Sequence, residues 1–522
     1  MEHCVKSNVN STKLREIGNQ YYAKREFFEA ILKYNKSLCY AENESENAAL
    51  AYANRSAVYF EMKKFEKCMK NIELARAHNY PKKNFEILKK REEKCFELMK
   101  NLKITKSDND EVNFFKLSHE GHKNVSTFSK YLELKYDKKY GRHIVTNKDL
   151  AVGDIIAIDE SFSTALQKEF VYQRCGNCLK SNQLDLIPCF GCNQAMFCNE
   201  NCKQNANENF HQYECSIMNL ITSSILNSNM RMALRNFIIA ISLFDDSIEN
   251  LKRFFEINST SCTIFDFKTE LNVKQKLLAV NSLIFDDTIE VNDLVFDEIF
   301  LTTDKLKEMW KSHKDFIRKF LRKHTQIASM NFHEIYGWPL KIGGLIDPDV
   351  EKFQKSLAYQ RGVVPYANGS FPFCALLNHS CAPNVCKIFI DNKIVMIVQR
   401  KIEAGMQLFD NYGYGFTNIP REYRQAELFK QYRFKCNCIA CINDFGLLPS
   451  LKICDKKTFM VAKKTCSELS SLNQKKAKQK IKELSEIIQN QSKNFPSLEI
   501  CSLMESFNAC LEIVMKPEIL FP

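Results

Sequence analysis

Eight side chains that can bind a transition metal stand close together near the middle of the chain. They form four short-spaced pairs: Cys175 and Cys178, Cys189 and Cys192, Cys198 and Cys202, and His211 and Cys215. A Zn²⁺ ion takes four nitrogen or sulfur ligands in a tetrahedron, and one such pair can hold an ion from a tight turn. We therefore predict two zinc sites between residues 175 and 215.

Spacing alone allows two ways of dividing these pairs between the ions. We favour alternating pairs, which would put Cys175, Cys178, Cys198 and Cys202 on one ion and Cys189, Cys192, His211 and Cys215 on the other. Consecutive pairing stays open, and the alternative without metal is a run of buried thiols or disulfides. At every ligand position the stretch resembles a MYND finger, a zinc module that binds protein partners.

Three further motifs follow in chain order. They read NHSCAPN at residues 378–384, GMQLFDNYGYG at 405–415 and YRFKCNCIAC at 432–441. In this order they resemble the SET domain of protein lysine methyltransferases and its post-SET segment. A SET domain interrupted by a MYND finger resembles the SMYD family, over about residues 11–442. The resemblance implies an S-adenosylmethionine-dependent protein-lysine N-methyltransferase, with histones and other proteins as candidate substrates.

Methyl transfer from a sulfonium to an amine is an in-line displacement, so positioning meets much of its barrier. The substrate lysine must be neutral, and a dry channel beside the sulfonium charge lowers the pKa of its amine. The chemistry therefore needs little beyond one tyrosine hydroxyl between the lysine channel and the cofactor.

The resemblance assigns roles to particular residues. Tyr412 matches the catalytic tyrosine, which also borders the cofactor; a tyrosine in a surface turn is the alternative. Asn378 and His379 match cofactor contacts, and a buried pair that satisfies backbone groups is the alternative. Asn331 matches an asparagine that meets the amino-acid end of the cofactor. Phe434 stands where the family stacks a ring on adenine, although it could equally be a core phenylalanine.

The expected cofactor loop of the N-terminal SET lobe departs from the family pattern. A Gly-x-Gly sequence is expected, but residues 139–143 read KYGRH, with Gly141 as the single glycine. Glycine lets a backbone approach a ligand closely, so this loss weakens the expected cofactor site. Arg142 would compensate by binding the cofactor carboxylate, and a simple turn is the alternative. The loop motivates a second hypothesis, a catalytically weak scaffold or transcriptional corepressor that recruits protein partners.

The post-SET motif supplies a third possible zinc site. Its C-x-C-x₂-C trio lacks a fourth ligand, which the NHSC motif provides, giving the set Cys381, Cys436, Cys438 and Cys441. Free thiols are the alternative. An ion there would hold the post-SET segment over the active site, so we expect three zinc ions in all.

Residues 11–100 predict helices with a loose internal repeat. LREIGNQYYAKREFFEAILKYNKSL is followed by AYANRSAVYFEMKKFEKCMKNIELA, which aligns Tyr22 with Tyr59 and Phe27 with Phe65. The pattern resembles tetratricopeptide repeats, which bind peptide segments and mark one branch of the family. A plain helical hairpin is the alternative.

Composition limits the remaining functions. The 522 residues include 74 basic and 62 acidic ones, a net charge of +12 that permits acidic partners without requiring them. The polar opening and the lack of a long apolar run predict a soluble intracellular protein, without membrane contact and with reduced cysteines. We further expect a monomer located in the cytoplasm and the nucleus. The segment after the finger, SIMNLITSSILN, is not basic, so we do not expect sequence-specific nucleic-acid binding.

The patterns together predict an α+β chain whose mostly-β SET domain is split by a MYND finger and a helical insert. Strands are expected around 143–145, 155–158, 392–400 and 406–412, whereas residues 111–135 show no clear pattern and 103–110 read as a linker. The predicted parts are helical repeats at 11–100, a SET N-terminal lobe with linker at 111–174, the finger at 175–215, a helical insert at 216–327, the SET core at 328–415, a post-SET zinc segment at 416–442 and C-terminal helices at 443–522.

Overall fold

The computed structural model describes residues 5–100, 114–258, 260, 262–340 and 363–517. The linker predicted at 103–110 lies outside these ranges. Helices form both ends of the described chain, and the strands lie between them, so the predicted α+β class is confirmed. No helix in the described ranges combines the length and the apolar character that a membrane span needs.

The first five helices form two antiparallel hairpins and one further helix. They are α1 Asn8–Ala23, α2 Phe27–Tyr40, α3 Glu46–Glu61, α4 Phe65–Ala77 and α5 Phe85–Lys100. Each hairpin turns through one residue with left-handed backbone, Arg25 at φ 62 and Lys63 at φ 57. A Cβ added to Gly18 would lie 2.5 Å from the Tyr34 ring, so the close approach of α1 and α2 requires a glycine there.

Ring contacts correct one detail of the predicted repeat. Tyr22 packs on Phe27 with ring centroids 6.1 Å apart, and Phe60 packs on Phe65 in the same way at 5.9 Å. Tyr22 therefore corresponds to Phe60 and not to Tyr59. Two packed hairpins are compatible with tetratricopeptide repeats and with plain hairpins alike, so the repeat assignment stays a prediction.

Fourteen strands lie within the described ranges. They are β1 Gly121–His122, β2 Val125–Ser129, β3 Leu132–Asp137, β4 Gly141–Thr146, β5 Ile155–Glu160, β6 Ser163–Leu166, β7 Ile187–Pro188, β8 Met196–Phe197, β9 Phe332–Gly337, β10 Val364–Ser370, β11 Asn378–His379, β12 Val385–Ile390, β13 Lys393–Val398 and β14 Phe409–Asp410. The largest sheet has the order β1-β2-β5-β13-β12, and β6-β10-β9 form a second. Strands β11 and β14 pair in parallel and bring His379 beside Asp410.

Strand β13 has a β-branched sequence in which alternate side chains point to opposite faces of the sheet. In β13, Ile394 and Met396 face the main core, whereas Val395 and Ile397 pack against the C-terminal helices. The segment predicted as a strand at 406–412 forms only the two-residue β14. Sequence analysis missed β9 and β10, because these strands carry polar and small residues without a clear alternation.

In the described part of the chain, eleven further helices follow the strands of the N-terminal lobe. They are α6 Glu200–Ala206, α7 Ser228–Ser242, α8 Ile248–Ile257, α9 Val273–Asn281, α10 Leu294–Phe300, α11 Asp304–Asn331, α12 Arg421–Tyr432, α13 Ile439–Ile442, α14 Lys456–Glu468, α15 Gln474–Asn490 and α16 Leu498–Val514. Short helical turns at Asn207–His211, Gln212–Glu214 and Met218–Ile221 connect α6 to α7. The side chains of Asn227 and Thr303 cap α7 and α11.

A buried polar network joins the helical hairpins to the segment that precedes β7. Arg55, with no exposed surface, donates to the Leu186 carbonyl at 2.7 Å and pairs with Asp185 at 3.3 Å. Asn71 also donates to Asp185, and Asn35 donates to the Leu184 carbonyl. Because Arg55 and Asp185 are buried, removing Arg55 leaves the half-exposed Lys70, 3.1 Å from Asp185, as the remaining ion-pair partner of that carboxylate among the described residues.

We expect Arg55→Met to destabilise the protein by about 3 kcal/mol, because the buried Asp185 loses one of its two ion-pair partners and the Leu186 carbonyl loses its buried donor. The exposed pair of Arg76 with Glu92 provides the control, since Arg76→Met should cost less than about 1 kcal/mol. Denaturant unfolding followed by tyrosine fluorescence measures both. If both substitutions cost little and equally, the network around Arg55 does not stabilise the contact between the helical hairpins and the finger.

Candidate active site and metal centres

The eight finger ligands form two clusters, and the structure selects the alternating pairs. Cys175, Cys178, Cys198 and Cys202 form the first cluster, and Cys189, Cys192, His211 and Cys215 form the second. Within each cluster all ligand atoms lie within 4.8 Å of one another. The thiolate and imidazole donors at these separations fit tetrahedral Zn²⁺, and each set is closed by four protein ligands.

Local structure explains how the finger gathers these ligands. The β7–β8 hairpin carries Cys189 just after β7 and Cys198 just after β8, and α6 adds Cys202. A Cβ added to Gly191 would lie 2.6 Å from the Cys215 sulfur, so this position between two ligands has room for hydrogen alone. Sequence analysis did not single out Gly191, although its place in the C-x-x-C pair was a usable signal.

A third cluster ties the post-SET segment to the parallel pair of β11 and β14, which we call the strand crossing. The Cys381 sulfur, directly after β11, lies 4.0 Å from that of Cys436 and 3.6 Å from that of Cys441, and its main-chain N–H donates to the Cys438 sulfur. The four cysteines of this set again match the ligands of a closed zinc site. The predicted three metal-binding groups are therefore all present.

Tyr412 follows β14, and its hydroxyl is fixed. The phenol donates to the Leu377 carbonyl at 2.8 Å, and its ring lies 4.8 Å from that of Tyr432. Burial raises the pKa of Tyr412 above its usual value, with the nearby Asp410 carboxylate adding to the shift. The hydroxyl therefore stays protonated, and its oxygen can still accept a contact.

His379 links Tyr412 to the third zinc cluster. The Tyr412 main-chain N–H donates to His379 Nδ1 at 3.1 Å, and Nε2 lies 3.3 Å from the Cys381 sulfur. Burial lowers the pKa of His379 to about 4, so the ring is neutral and Nε2–H donates to the sulfur. Both ring nitrogens therefore have partners within the protein, and the imidazole positions the main chain of Tyr412. The predicted cofactor contact of His379 stays a prediction.

Asn378 and Phe434 lie beside this histidine. Asn378 donates through Nδ2 to the Tyr140 carbonyl at 2.9 Å, which joins the strand crossing to the N-terminal lobe and leaves its amide oxygen for a ligand. The Phe434 ring is half-buried and lies 6.2 Å from that of His379. The structure thus brings Asn378, His379, Tyr412 and Phe434 together.

The other three predicted residues have partners in the protein. Gly141 has a φ of +62, which by itself favours glycine in the β3–β4 connection, and the space beyond its Cα is open. Arg142 donates through Nη2 to the Ser282 carbonyl, and burial lowers its pKa. Asn331 donates through Nδ2 to the carbonyls of Ile284 and Ile327. Their cofactor roles remain predictions.

Tyr412 also lines a large cleft. Its volume is about 1980 Å³, and its lining includes Tyr412, Tyr432, Asn331 and His333. Asn378, His379 and Phe434 are absent from the described lining. Tyr412 both lines the cleft and packs against His379, with ring centroids 5.2 Å apart, so it lies at the border of the cleft and the group around Asn378.

The floor of the cleft holds polar residues that sequence analysis missed as site residues. His333, Cys374, Asp410 and Lys387 all line it, and Lys387 forms an ion pair with Asp410. Burial raises the pKa of Cys374 and lowers that of His333, so both are neutral when unliganded. Asp410 lies in the motif at residues 405–415, but no sequence spacing connects it with His333, Cys374 and Lys387.

Family profiles match both the finger and the region that carries Tyr412. The family profile of the MYND finger matches residues 175–215, the stretch that carries the first two clusters. The profile of the SET domain matches residues 253–413, which include the strand crossing and Tyr412.

Several curated proteins are similar to the chain. Protein-lysine N-methyltransferase SMYD4 of Danio rerio is 20% identical over 516 residues, covering 84% of this chain and 66% of that protein. Its namesake in Mus musculus is 22% identical over 539 residues, covering 82% and 66%. A SET and MYND domain-containing protein of Dictyostelium discoideum is 33% identical over 105 residues, covering 19% and 25%. The chain spans just under two thirds of the length of the first two. With the finger, the SET crossing and the post-SET cysteines in this order, the chain contains a MYND finger and a SET domain, and over most of its length it is similar to SMYD proteins.

Proposed function

We propose that this protein is a protein-lysine N-methyltransferase that uses S-adenosylmethionine. The observation that carries the proposal is the position of Tyr412, at the border of a cleft wide enough for a protein segment and the compact group around Asn378. When bound, S-adenosylmethionine would supply a methyl group on a positively charged sulfur. A lysine side chain that enters from the cleft would meet the phenol of Tyr412 first.

The protein's own residues orient the lysine amine and exclude water. The Tyr412 hydroxyl is held by the Leu377 carbonyl, so its free lone pair faces a fixed direction. The Tyr432 ring beside it forms an apolar wall, and burial raises the pKa of that phenol too. Such a dry wall disfavours an ammonium and thus favours the neutral amine that methyl transfer needs.

The residues near Asn378 fit the cofactor by their donors and shape. The free amide oxygen of Asn378 can accept from an adenine amine or from the cofactor's amino group. The half-buried ring of Phe434 offers an apolar face, and the backbone at Gly141 is open on one side. These three residues would hold the cofactor.

The substrates we propose are proteins with an accessible lysine, histones among them, and we propose that the finger and the helical hairpins bind protein partners. None of the described cysteines forms a disulfide, which supports a reducing location, in the cytoplasm and the nucleus. We further propose a monomer that contacts neither membranes nor specific nucleic-acid sequences. Cell fractionation and light scattering test location and oligomeric state.

The experiment incubates zinc-loaded protein with methyl-labelled S-adenosylmethionine and a cell lysate. We expect label in methyl-lysine after acid hydrolysis of the proteins, and cofactor binding by calorimetry. A protein that binds no cofactor and transfers no label would contradict the proposal.

A second candidate function is a scaffold or corepressor with weak catalysis. It is favoured by the single glycine of the cofactor loop and by Arg142, whose guanidinium is committed to Ser282. If this function is the main one, cofactor binding would be weak while partner recruitment through the finger and hairpins persists.

A further inference from the structure

The floor of the cleft contains three side chains of three metal-binding types, each from a different part of the fold. His333 lies on β9, Cys374 follows β10, and Asp410 ends β14. One ligand atom from each lies within 4.8 Å of the other two, and His333 Nε2 is 3.0 Å from the Cys374 sulfur. The sequence separates His333 from Asp410 by most of the SET core, so the fold alone creates this group.

We propose that His333, Cys374 and Asp410 form a fourth metal site, which binds one first-row divalent transition-metal ion such as Zn²⁺. Imidazole, thiolate and carboxylate together suit Zn²⁺ and Co²⁺, whereas Ca²⁺ and Mg²⁺ prefer oxygen ligands alone. The site differs from the other three clusters, which are each closed by four protein ligands.

The distances are compatible with coordination. Bond lengths to tetrahedral zinc place neighbouring nitrogen and sulfur ligands roughly 3.5 Å apart. The separation of 3.0 Å between His333 and Cys374 needs only a small adjustment. The cysteine pairs of the closed clusters show comparable sulfur separations, for example 3.3 Å between Cys198 and Cys202 and 4.0 Å between Cys381 and Cys436.

Each proposed ligand already has an outer partner that orients it. His333 Nδ1 lies 3.2 Å from the Asn331 carbonyl and donates to it, which leaves Nε2 as a lone-pair donor toward Cys374. Lys387 holds one carboxylate oxygen of Asp410 and leaves the other available. Asp159 accepts from the Cys374 main-chain N–H at 2.9 Å. Outer partners of this kind fix the direction of metal ligands.

Three protein ligands leave one tetrahedral position open, and the cleft provides access to it. His333, Cys374 and Asp410 all line the cleft, so a water molecule or a side chain of a bound segment can complete the coordination. Open sites of this type exchange ligands, whereas closed sites are structural. Binding converts the Cys374 thiol to a thiolate, and its proton goes to solvent.

A simple thiol-to-imidazole hydrogen bond would explain the short distance without a metal. The two explanations differ in what happens when an ion is offered to the protein. The hydrogen-bonded pair binds nothing, whereas the proposed site gives a thiolate–metal bond that is visible in the absorption spectrum.

The experiment titrates Co²⁺ into full-length protein whose three structural sites hold zinc. Bound cobalt is measured by equilibrium dialysis, and the zinc content is checked before and after. We expect one Co²⁺ per chain without release of zinc, together with a near-ultraviolet thiolate-to-cobalt absorption band. We expect Cys374→Ser to lose the band and His333→Asn to weaken cobalt binding at least about 10-fold.

Cys386→Ser is the matched control, because Cys386 lines the same cleft but lies outside the group. This variant should keep both the band and the stoichiometry. Circular dichroism confirms that each variant is folded, and Cys374→Ser retains a polar partner for His333. The proposal is overturned if the protein binds Co²⁺ only in exchange for released Zn²⁺. It is also overturned if folded Cys374→Ser keeps the thiolate-to-cobalt absorption band.

One consequence rests on the proposed methyltransferase function, whereas the cobalt result does not. Asp410 precedes Tyr412 by two residues, so an ion at this site would stand beside the route of the substrate lysine. Excess Zn²⁺ should therefore inhibit label transfer by the wild type, and it should inhibit Cys374→Ser less. For each protein, label transfer is measured with and without added Zn²⁺. If no label is transferred at all, the proposed function fails while the metal site can still stand.

Discussion

Tyr412→Phe is expected to lower kcat/KM for label transfer about 100-fold or more, while the affinity for S-adenosylmethionine measured by calorimetry stays within about two-fold. The substitution removes only the hydroxyl that is bonded to the Leu377 carbonyl. The ring can keep its contact with Tyr432, so the walls of the channel stay in place. The loss should fall on kcat, because the hydroxyl orients the reacting amine.

Tyr414→Phe is the control for this effect. Tyr414 lies on the lining of the same cleft, two residues along, and is half-buried. Its substitution should change kcat/KM by less than about three-fold, since its hydroxyl has no part in the proposed step. Equal losses in the two variants would remove Tyr412 from its proposed role. In cells, full rescue of a deletion by Tyr412→Phe would favour the scaffold function.

Cys438→Ser is expected to abolish label transfer and to lower the zinc content by one ion per chain relative to the wild type prepared in the same way. Binding of a structural zinc ion is worth on the order of 10 kcal/mol, and one thiolate is a large part of it. Without that ion, Cys381 is no longer anchored to the post-SET segment, and through His379 the main chain of Tyr412 loses its support. Elemental analysis and the label assay measure the two effects.

Cys454→Ser controls for the loss of a thiol, because Cys454 is exposed and belongs to none of the clusters. It should retain the full zinc content and the full activity. The account is contradicted if Cys438→Ser keeps the full zinc content of the wild type, or if it loses one ion and still transfers label at the wild-type rate.

The metal clusters of the finger were predictable from the sequence because each ligand pair is local. A C-x-x-C pair must form a tight turn, so its spacing already specifies much of its geometry. The favoured alternating pairing is confirmed, but spacing alone could not exclude consecutive pairs, since the outcome depends on how the β7–β8 hairpin folds the first and third pairs together. The third cluster was predictable only through the resemblance, because Cys381 is far from Cys436 in sequence.

The parts that sequence analysis missed depend on long-range contacts. The buried partner of Arg55 is Asp185, which belongs to another part of the chain and has no spacing that connects the two. The same is true of His333 and Cys374, whose strands β9 and β10 carry no clear alternation of apolar residues. Tyr22 was aligned with Tyr59 because adjacent aromatic residues leave the register of a repeat ambiguous.

His379 shows a different reason for an incomplete prediction. The motif correctly placed it at the strand crossing, beside Tyr412. Its role could not be inferred from the sequence, because that role depends on which atoms the two ring nitrogens meet. The structure directs one to the Tyr412 main chain and the other to the Cys381 sulfur, so the residue positions the site.

The central claim is that Tyr412 separates the cofactor from the substrate lysine. A crystal structure with S-adenosylhomocysteine bound tests it most directly, by locating the cofactor sulfur relative to the Tyr412 hydroxyl. We predict that the sulfur lies on the Asn378 side, with the phenol between it and the cleft and with the adenine against Phe434. A cofactor bound elsewhere, or a phenol that points away from the sulfur, would contradict the account.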